Sequence, residues 1–258
     1  MEIVLDLHVH SLASGHAYST IAEIARAAAD RGLQGVAITE HGPAMPGGPH
    51  GYYFGNLKAV PRELYGVRIF RGVEANLMDG DGKLDLAPRF MKHLDLVAAG
   101  FHVDCFPAGG SVAEHTRALV NAMAGGWVDI IVHPGNPQFR IDPVAVVQAA
   151  KEHRVALEIN NSSLTGSRKG SLEVCPEIAQ VAAEFGIMVS LGSDSHWAGT
   201  VGQLDAALEL VLKAGIKPEN ILNTSLTKLE EFLAERQTRR PKGKKATAAY
   251  TKPQNSKL

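Results

Sequence analysis

The sequence predicts an α/β fold in a single domain, with a parallel sheet closed into a barrel. Three observations predict it. Seven short apolar runs rich in β-branched residues alternate with stretches of helical period, the pattern of repeated βα units. Convincing edge strands are rare among the runs, which favours closure over an open doubly wound sheet. The unusual residues, histidines above all, collect where the runs end, as active-site groups do at the carboxyl ends of barrel strands.

The first run, Ile3-Val4-Leu5, leads into Asp6-Leu7-His8-Val9-His10-Ser11. Alternation along a strand puts His8 and His10 on one face, where both imidazoles can converge on one metal ion. Such a pair also arises by chance on a half-buried strand. Thr20-Ile21-Ala22-Glu23 has the form of a capping box, with Ile21, Ile24, Ala25 and Ala28 in helical period and Gly32 closing the helix. The run 35–39 delivers Glu40-His41. A Gly- and Pro-rich loop, 42–55, follows with His50, Tyr52, Tyr53 and Phe54; this is the profile of a lid over an active site, although long loops are also simply exposed.

The third strand, 67–73, ends in Glu74. Asp79-Gly80-Asp81-Gly82 suggests a hairpin before 94–100 leads to Phe101-His102. Ser111 to Glu114 is a second capping box, and 129–132 delivers His133-Pro134-Gly135. Asp142-Pro143 supplies an N-cap and a first-turn proline to a helix reaching about His153. The run 155–159 ends in Asn160-Asn161, and 187–191 ends in Gly192-Ser193-Asp194-Ser195-His196. Helices near 203–214 and 227–237 complete the ordered part. No strand is followed by a glycine-rich dinucleotide fingerprint.

With 258 residues, 45% of them hydrophobic, the chain can bury a substantial core. No apolar run approaches the ~20 residues of a membrane span, and the chain begins with a strand rather than a charged-then-apolar leader, so the expected location is cytoplasmic. Cys105 and Cys175 are too few for a disulfide scaffold and are read as reduced thiols. The formal net charge of −1 hides an asymmetry. Residues 236–258 carry eight Lys or Arg and no acid, which leaves 18 basic against 27 acidic residues in 1–235, a body charge of −9. That body is a poor surface for a polyanion. The basic stretch, 236–258, could touch nucleic acid, but its composition reads as a disordered, solubilising tail behind a domain spanning 1–235. Barrel surfaces often assemble into homo-oligomers, and no stripe here is diagnostic.

Collected in order, the metal-capable groups are His8, His10, His16, His41, Glu74, His102, His133, Asp194 and His196. Nine exceed what one ion needs, and a carboxylate such as Glu74 can bridge two ions about 3.5–4 Å apart, so the set suits two or three. Imidazole and carboxylate without thiolate fit zinc, manganese or iron. Several cations are hard to justify for a neutral substrate and make sense for a phosphate ester. Arg168 and Lys169 could add positive charge for the phosphate or simply face solvent. Asn160 and Asn161 could bond substrate or orient ligands, and His50 could reach substrate from its loop. His93, His115 and His153 fall away from strand ends and are assigned to the surface.

The ordered set DLHVHS, His16, TEHG, GVEAN, GFH, VHPGN and GSDSH resembles the PHP (polymerase and histidinol phosphatase) family over roughly residues 3–235. EINNSS and SRKGS resemble its bacterial stand-alone phosphatase branch. The resemblance implies a distorted, TIM-like (β/α)7 barrel and a trinuclear site, with zinc the expected metal. It would place His8, His10, Glu74 and Asp194 on one ion, Glu74, His102 and His133 on a second, and His16, His41 and His196 on a third. The implied activity is phosphoric ester hydrolysis of a small phosphorylated substrate, with Glu74 and Asp194 at the reaction centre.

Three other readings compete. An amidohydrolase-type barrel also begins with HxH but commonly bridges its metals with a modified lysine at the fourth strand, where this chain has His102. A nuclease of the same family would act on phosphodiesters, against which the acidic body counts. A non-catalytic metal-binding or scaffold module would show no turnover.

Overall fold

A computed structural model describes residues 1–107 and 109–241. Its strands are β1 (Leu5–Val9), β2 (Gly35–Ile38), β3 (Glu63–Leu64), β4 (Val67–Asn76), β5 (Leu96–Gly100), β6 (Ile130–Ile131), β7 (Ala156–Asn160) and β8 (Val189–Gly192). All seven predicted strands are present and pair in parallel in the order β1-β2-β4-β5-β6-β7-β8; the added β3 is a short antiparallel partner of β4. Helices fill the crossovers between the parallel strands and pack on the outside of the sheet, so the outer core holds residues such as Val146, Ile178 and Val211 against Leu157 and Leu191.

The sheet nearly closes. At the carboxyl end of the seam, the Asp194 N–H donates to the His8 carbonyl at 2.8 Å and the His10 N–H to that of Ser195 at 2.9 Å. Lower down, one side chain bridges the two strands. Asn223, fully buried, donates from Nδ2 to the carbonyls of Leu5 and Leu191 at 2.9 and 2.8 Å and accepts the Leu191 N–H at 2.7 Å. The amide thus supplies the ladder that a further strand would supply.

Within the barrel, Leu5, Leu7, Phe70, Leu96 and Ala98 form an apolar floor closed from below by Leu222, Leu229 and Phe232. The β1–β2 register shifts between Asp6 and Val9, where the inner face changes from leucine to histidine; a bulge of this kind re-aims side chains. Floor and metal-capable groups therefore come from the same strands. Metal-capable groups begin where the apolar floor ends.

The capping box at Thr20 and Glu23 forms, as does the N-cap at Asp142 with Pro143 behind it. The expected hairpin forms across Leu77 and Leu84. The loop after β2 contains a short helix, Gly51–Asn56. A helix at Ser171–Phe185 has no counterpart in the sequence reading, because Pro176 interrupts its pattern. Of the expected basic tail, 236–241 is described. Arg239 there bonds the Val128 carbonyl at 3.0 Å and Asp129 at 3.2 Å, so packing against the barrel continues past 235. The remainder, 242–258, lies outside the described residues. Among the described residues, no helix is long and apolar enough to cross a membrane.

Candidate metal centre

The nine predicted ligands reach the carboxyl-end mouth from six strands, β1 carrying His8 and His10 with His16 in the loop behind them, and β8 leading to both Asp194 and His196, and all nine meet there. Glu74 is at the middle. Its Oε1 lies 2.6 Å from His133 Nε2 and 3.1 Å from His102 Nε2; its Oε2 lies 2.7 Å from His41 Nδ1 and 3.5 Å from the Nε2 atoms of both His8 and His10. Asp194 Oδ1 faces the same two nitrogens at 3.7 and 3.4 Å. His16 and His196 form the outer edge, Nε2 to Nε2 at 3.0 Å, with His16 stacked on His41 at 4.9 Å between ring centroids.

Two of these positions carry backbone strain. His133 and Asp194 have φ of 34° and 55°, a region that side chains other than glycine's adopt at a cost, and both stand at the ends of short strands. Gly192 is needed for a different reason. A Cβ there would collide with Glu158 Oε1 and with the His8 Cβ, so only glycine lets β8 pass beneath the pair they form.

Several carboxylates that the sequence reading did not single out stand behind the ligands. Glu158 accepts from His8 Nδ1 at 2.7 Å, from the His133 N–H at 2.7 Å and from Asn160 Nδ2 at 3.1 Å. Asp6 accepts the N–H groups of Ser193 and Gly202 at 3.0 and 2.8 Å, fixing the loop that carries Asp194. Glu40 binds Ser11 and Ser14. Such groups orient metal-binding imidazoles. In sequence they sit on the same strands as the ligands, and alternation does not separate them from ordinary strand polarity.

The donor set fits cations. His8 Nε2 and His10 Nε2 lie 3.0 Å apart, although His8 commits its Nδ1 proton to Glu158. Both ring nitrogens of His41 and of His102 and the Oε2 of Glu74 are buried with no aligned hydrogen bond among the described residues. Lone pairs crowded this closely need a proton or a metal ion between them. Three overlapping clusters have ligand atoms within 4.8 Å of one another: His8, His10 and Asp194; His41, Glu74 and His102; and His10, His41 and His196. These overlap with the expected three-ion grouping without coinciding with it, His41 joining Glu74 and His10 facing the outer set.

The electrostatics follow from burial and crowding. Burial disfavours a charged His8, yet Glu158, Asp194 and Glu74 outweigh it and raise its pKa well above the ordinary value. Burial likewise opposes ionisation of Glu74 and Asp194, but His102, His41 and His8 hold Glu74 well below the carboxylate range, and His8 with Arg168 does the same for Asp194. His10 is pushed well down by burial and then by His41, and His133 falls to about 4 through burial and then Arg168.

The expected substrate contacts divide. Arg168 points into the centre, donating from Nη1 to Asp194 Oδ2 at 3.0 Å and to Ser163 Oγ at 3.1 Å. Asn160 lies beside it but is occupied: Oδ1 caps the short helix Asn161–Thr165 by accepting the Ser163 N–H at 2.8 Å, and Nδ2 is shared between Glu158 and Asp194. Asn161 accepts the Ala207 N–H and is structural. Lys169 is exposed, and among the described residues no hydrogen bond or ion pair joins it to the centre. His50 is exposed too, its Nδ1 capping the helix that begins at Gly51. His115, expected at the surface, is 3% exposed and packs against Phe101, Phe106 and Phe139, with Nδ1 bonded to the Arg140 carbonyl.

Fold and centre together define a β/α barrel with a buried imidazole and carboxylate site at its mouth. The PHP domain model matches residues 6–164, and the chain belongs to that family. It is 50% identical over 239 residues to a probable phosphatase of Caldanaerobacter subterraneus subsp. tengcongensis, covering 93% of this chain and 94% of the relative. Among solved structures it superimposes on the histidinol phosphate phosphatase of Lactococcus lactis, crystallised with zinc, L-histidinol and phosphate. That match has a TM-score of 0.55 and 18% identity over 83% of this chain and 94% of the other. Metal-dependent tyrosine phosphatases, YwqE of Bacillus subtilis and CpsB of Streptococcus pneumoniae, give a TM-score of 0.52 at 19% identity over 93% of this chain and 100% of the other. At such identities the likeness is one of fold.

Proposed function

We propose that this PHP-family phosphoesterase removes phosphate from a small phosphorylated molecule at a centre of three divalent ions, with zinc the expected metal. His8, His10, His16, His41, Glu74, His102, His133, Asp194 and His196 would hold them. The observation that carries the reading is Glu74, one buried carboxylate within 3.5 Å of five imidazoles, as a group shared between cations must be. Divalent ions held there supply Lewis acidity toward phosphate oxygens and lower the pKa of water toward neutrality.

The chain's own part is positioning and charge. Arg168 brings a guanidinium suited to phosphate, buttressed by Ser163 and Asp194. Asp194 spends Oδ2 on Arg168 and Asn160 and turns Oδ1 to His8 and His10, which suits a ligand and anchor more than a leaving-group acid. The free thiols Cys105 and Cys175 suit a reducing compartment such as the cytoplasm. The acidic body favours a small phosphorylated substrate over nucleic acid.

Stripping metal with a chelator should abolish hydrolysis of p-nitrophenyl phosphate, and returning zinc should restore it. Elemental analysis of protein purified without added metal gives the number and identity of ions, and a screen of phosphorylated metabolites gives the substrate. Equal turnover in stripped and loaded protein, or none in either, would overturn the reading.

A further inference from the structure

His8 and His10 are both supported from behind, but by different means. His8 Nδ1 meets the Glu158 carboxylate directly at 2.7 Å. His10 Nδ1 meets a hydroxyl, Ser14 Oγ at 3.1 Å, and that oxygen lies 2.6 Å from Glu40 Oε2. Glu40 is fully buried just beyond β2. Its Oε2 also accepts the Ser11 N–H at 3.0 Å, and its Oε1 accepts the hydroxyls of Ser11 at 2.5 Å and Tyr53 at 3.0 Å.

Counting protons decides the tautomer of His10. Four donors converge on the Glu40 oxygens, the Ser11 N–H and the hydroxyls of Ser11, Ser14 and Tyr53. The single Ser14 hydroxyl proton therefore goes to Glu40. Ser14 Oγ keeps two lone pairs: one receives the His41 N–H at 3.1 Å, and the other faces His10 Nδ1. Two lone pairs cannot satisfy each other, so Nδ1 carries the proton. The basic nitrogen is then Nε2, the atom that faces His8, Glu74 and Asp194.

We propose that Glu40, acting through the Ser14 hydroxyl, is a positioning residue that fixes the His10 proton on Nδ1 and turns the Nε2 lone pair toward the cations. The inference rests on the reading of His10 as a metal ligand. The same serine anchors the backbone of His41, so one carboxylate steadies ligands from two strand ends. Tyr53 connects the helix of the 42–55 loop to the other oxygen of that carboxylate, Oε1.

The test is ring-nitrogen NMR on full-length protein labelled with ¹⁵N-histidine, recorded with and without zinc, together with zinc affinity by chelator competition. His10 should carry its proton on Nδ1 in both states. In Ser14→Ala, zinc-free protein should show a population protonated on Nε2, and zinc should bind about 10–100-fold more weakly. Ser14→Thr keeps the hydroxyl and should recover the wild-type tautomer. Wild-type His10 protonated on Nε2 would overturn the proposal, as would Ser14→Ala with unchanged tautomer and unchanged affinity. The wild-type spectrum decides even if a variant does not fold. Failure to take up zinc would overturn the metal reading instead, while the zinc-free spectrum still reports the tautomer.

Discussion

Arg168 Nη1 lies 3.0 Å from Asp194 Oδ2, joining a guanidinium that reaches the centre to one of the expected metal ligands. Arg168 is held by Ser163 and Asp194 before any phosphate arrives, so its orientation is set in advance. Replacing it with Met should lower kcat/KM for p-nitrophenyl phosphate by about 10–100-fold, mainly through KM, the size expected for a lost charge-assisted hydrogen bond. Arg168→Lys should recover only part, because an ammonium cannot reproduce the planar fork. Steady-state kinetics at saturating metal would show this, and an unchanged KM would remove Arg168 from phosphate binding.

Glu74→Gln tests the shared carboxylate. Amide for carboxylate keeps shape but removes the charge that faces five imidazoles, so bound metal should fall and turnover should drop by a factor on the order of 10³ or more. Elemental analysis beside turnover checks both. A full metal complement with normal activity contradicts the arrangement.

The stripped protein should lose stability in mild acid. Burial and then Arg168 push His133 down to about 4, and burial and then His41 push His10 well below 6.5, so both stay neutral in the fold while the unfolded chain takes up their protons. Where the unfolded state binds more protons, stability rises with pH. These contributions are complete above about pH 6.5 and are lost as pH falls toward the folded values. His8 has the opposite sign: its raised pKa gives a contribution present below about pH 6.5 and lost as pH climbs through the folded value. Melting temperatures of chelator-treated protein should therefore peak near neutrality and fall toward pH 4. A rise on acidification would contradict the balance.

Asn223→Ala should cost about 3 kcal/mol or more, since it leaves the Leu191 N–H and the carbonyls of Leu5 and Leu191 unpaired at a fully buried seam. Denaturant unfolding of wild type and variant measures it. A loss under about 1 kcal/mol would mean that the seam rearranges.

The seven parallel strands and the converging imidazoles and carboxylates were legible because both depend on local pattern. Apolar runs end in His8, His41, Glu74, His102, His133 and Asp194, and a barrel brings strand ends together whatever lies between. Partners defined only by three-dimensional closure were not legible. Glu158 lies on the same strand as Asn160 and looks like any polar strand residue until His8, from the far end of the chain, docks on it. Asn223 belongs to no strand at all. His115 lies away from the strand ends and so reads as a surface residue, but Phe101, Phe106 and Phe139 enclose it. His50 attracted attention as a loop imidazole and serves to begin a helix.

The amide of Asn223 also imposes an order on biosynthesis. It follows His196, the last of the nine proposed ligands, so a ribosome has made every one of those side chains before it makes the residue that stitches the lower seam. A growing chain halted short of it carries the imidazoles but cannot secure Leu5 to Leu191 through this bridge. Until then the seam rests on the two backbone bonds at the mouth, from Asp194 to His8 and from His10 to Ser195.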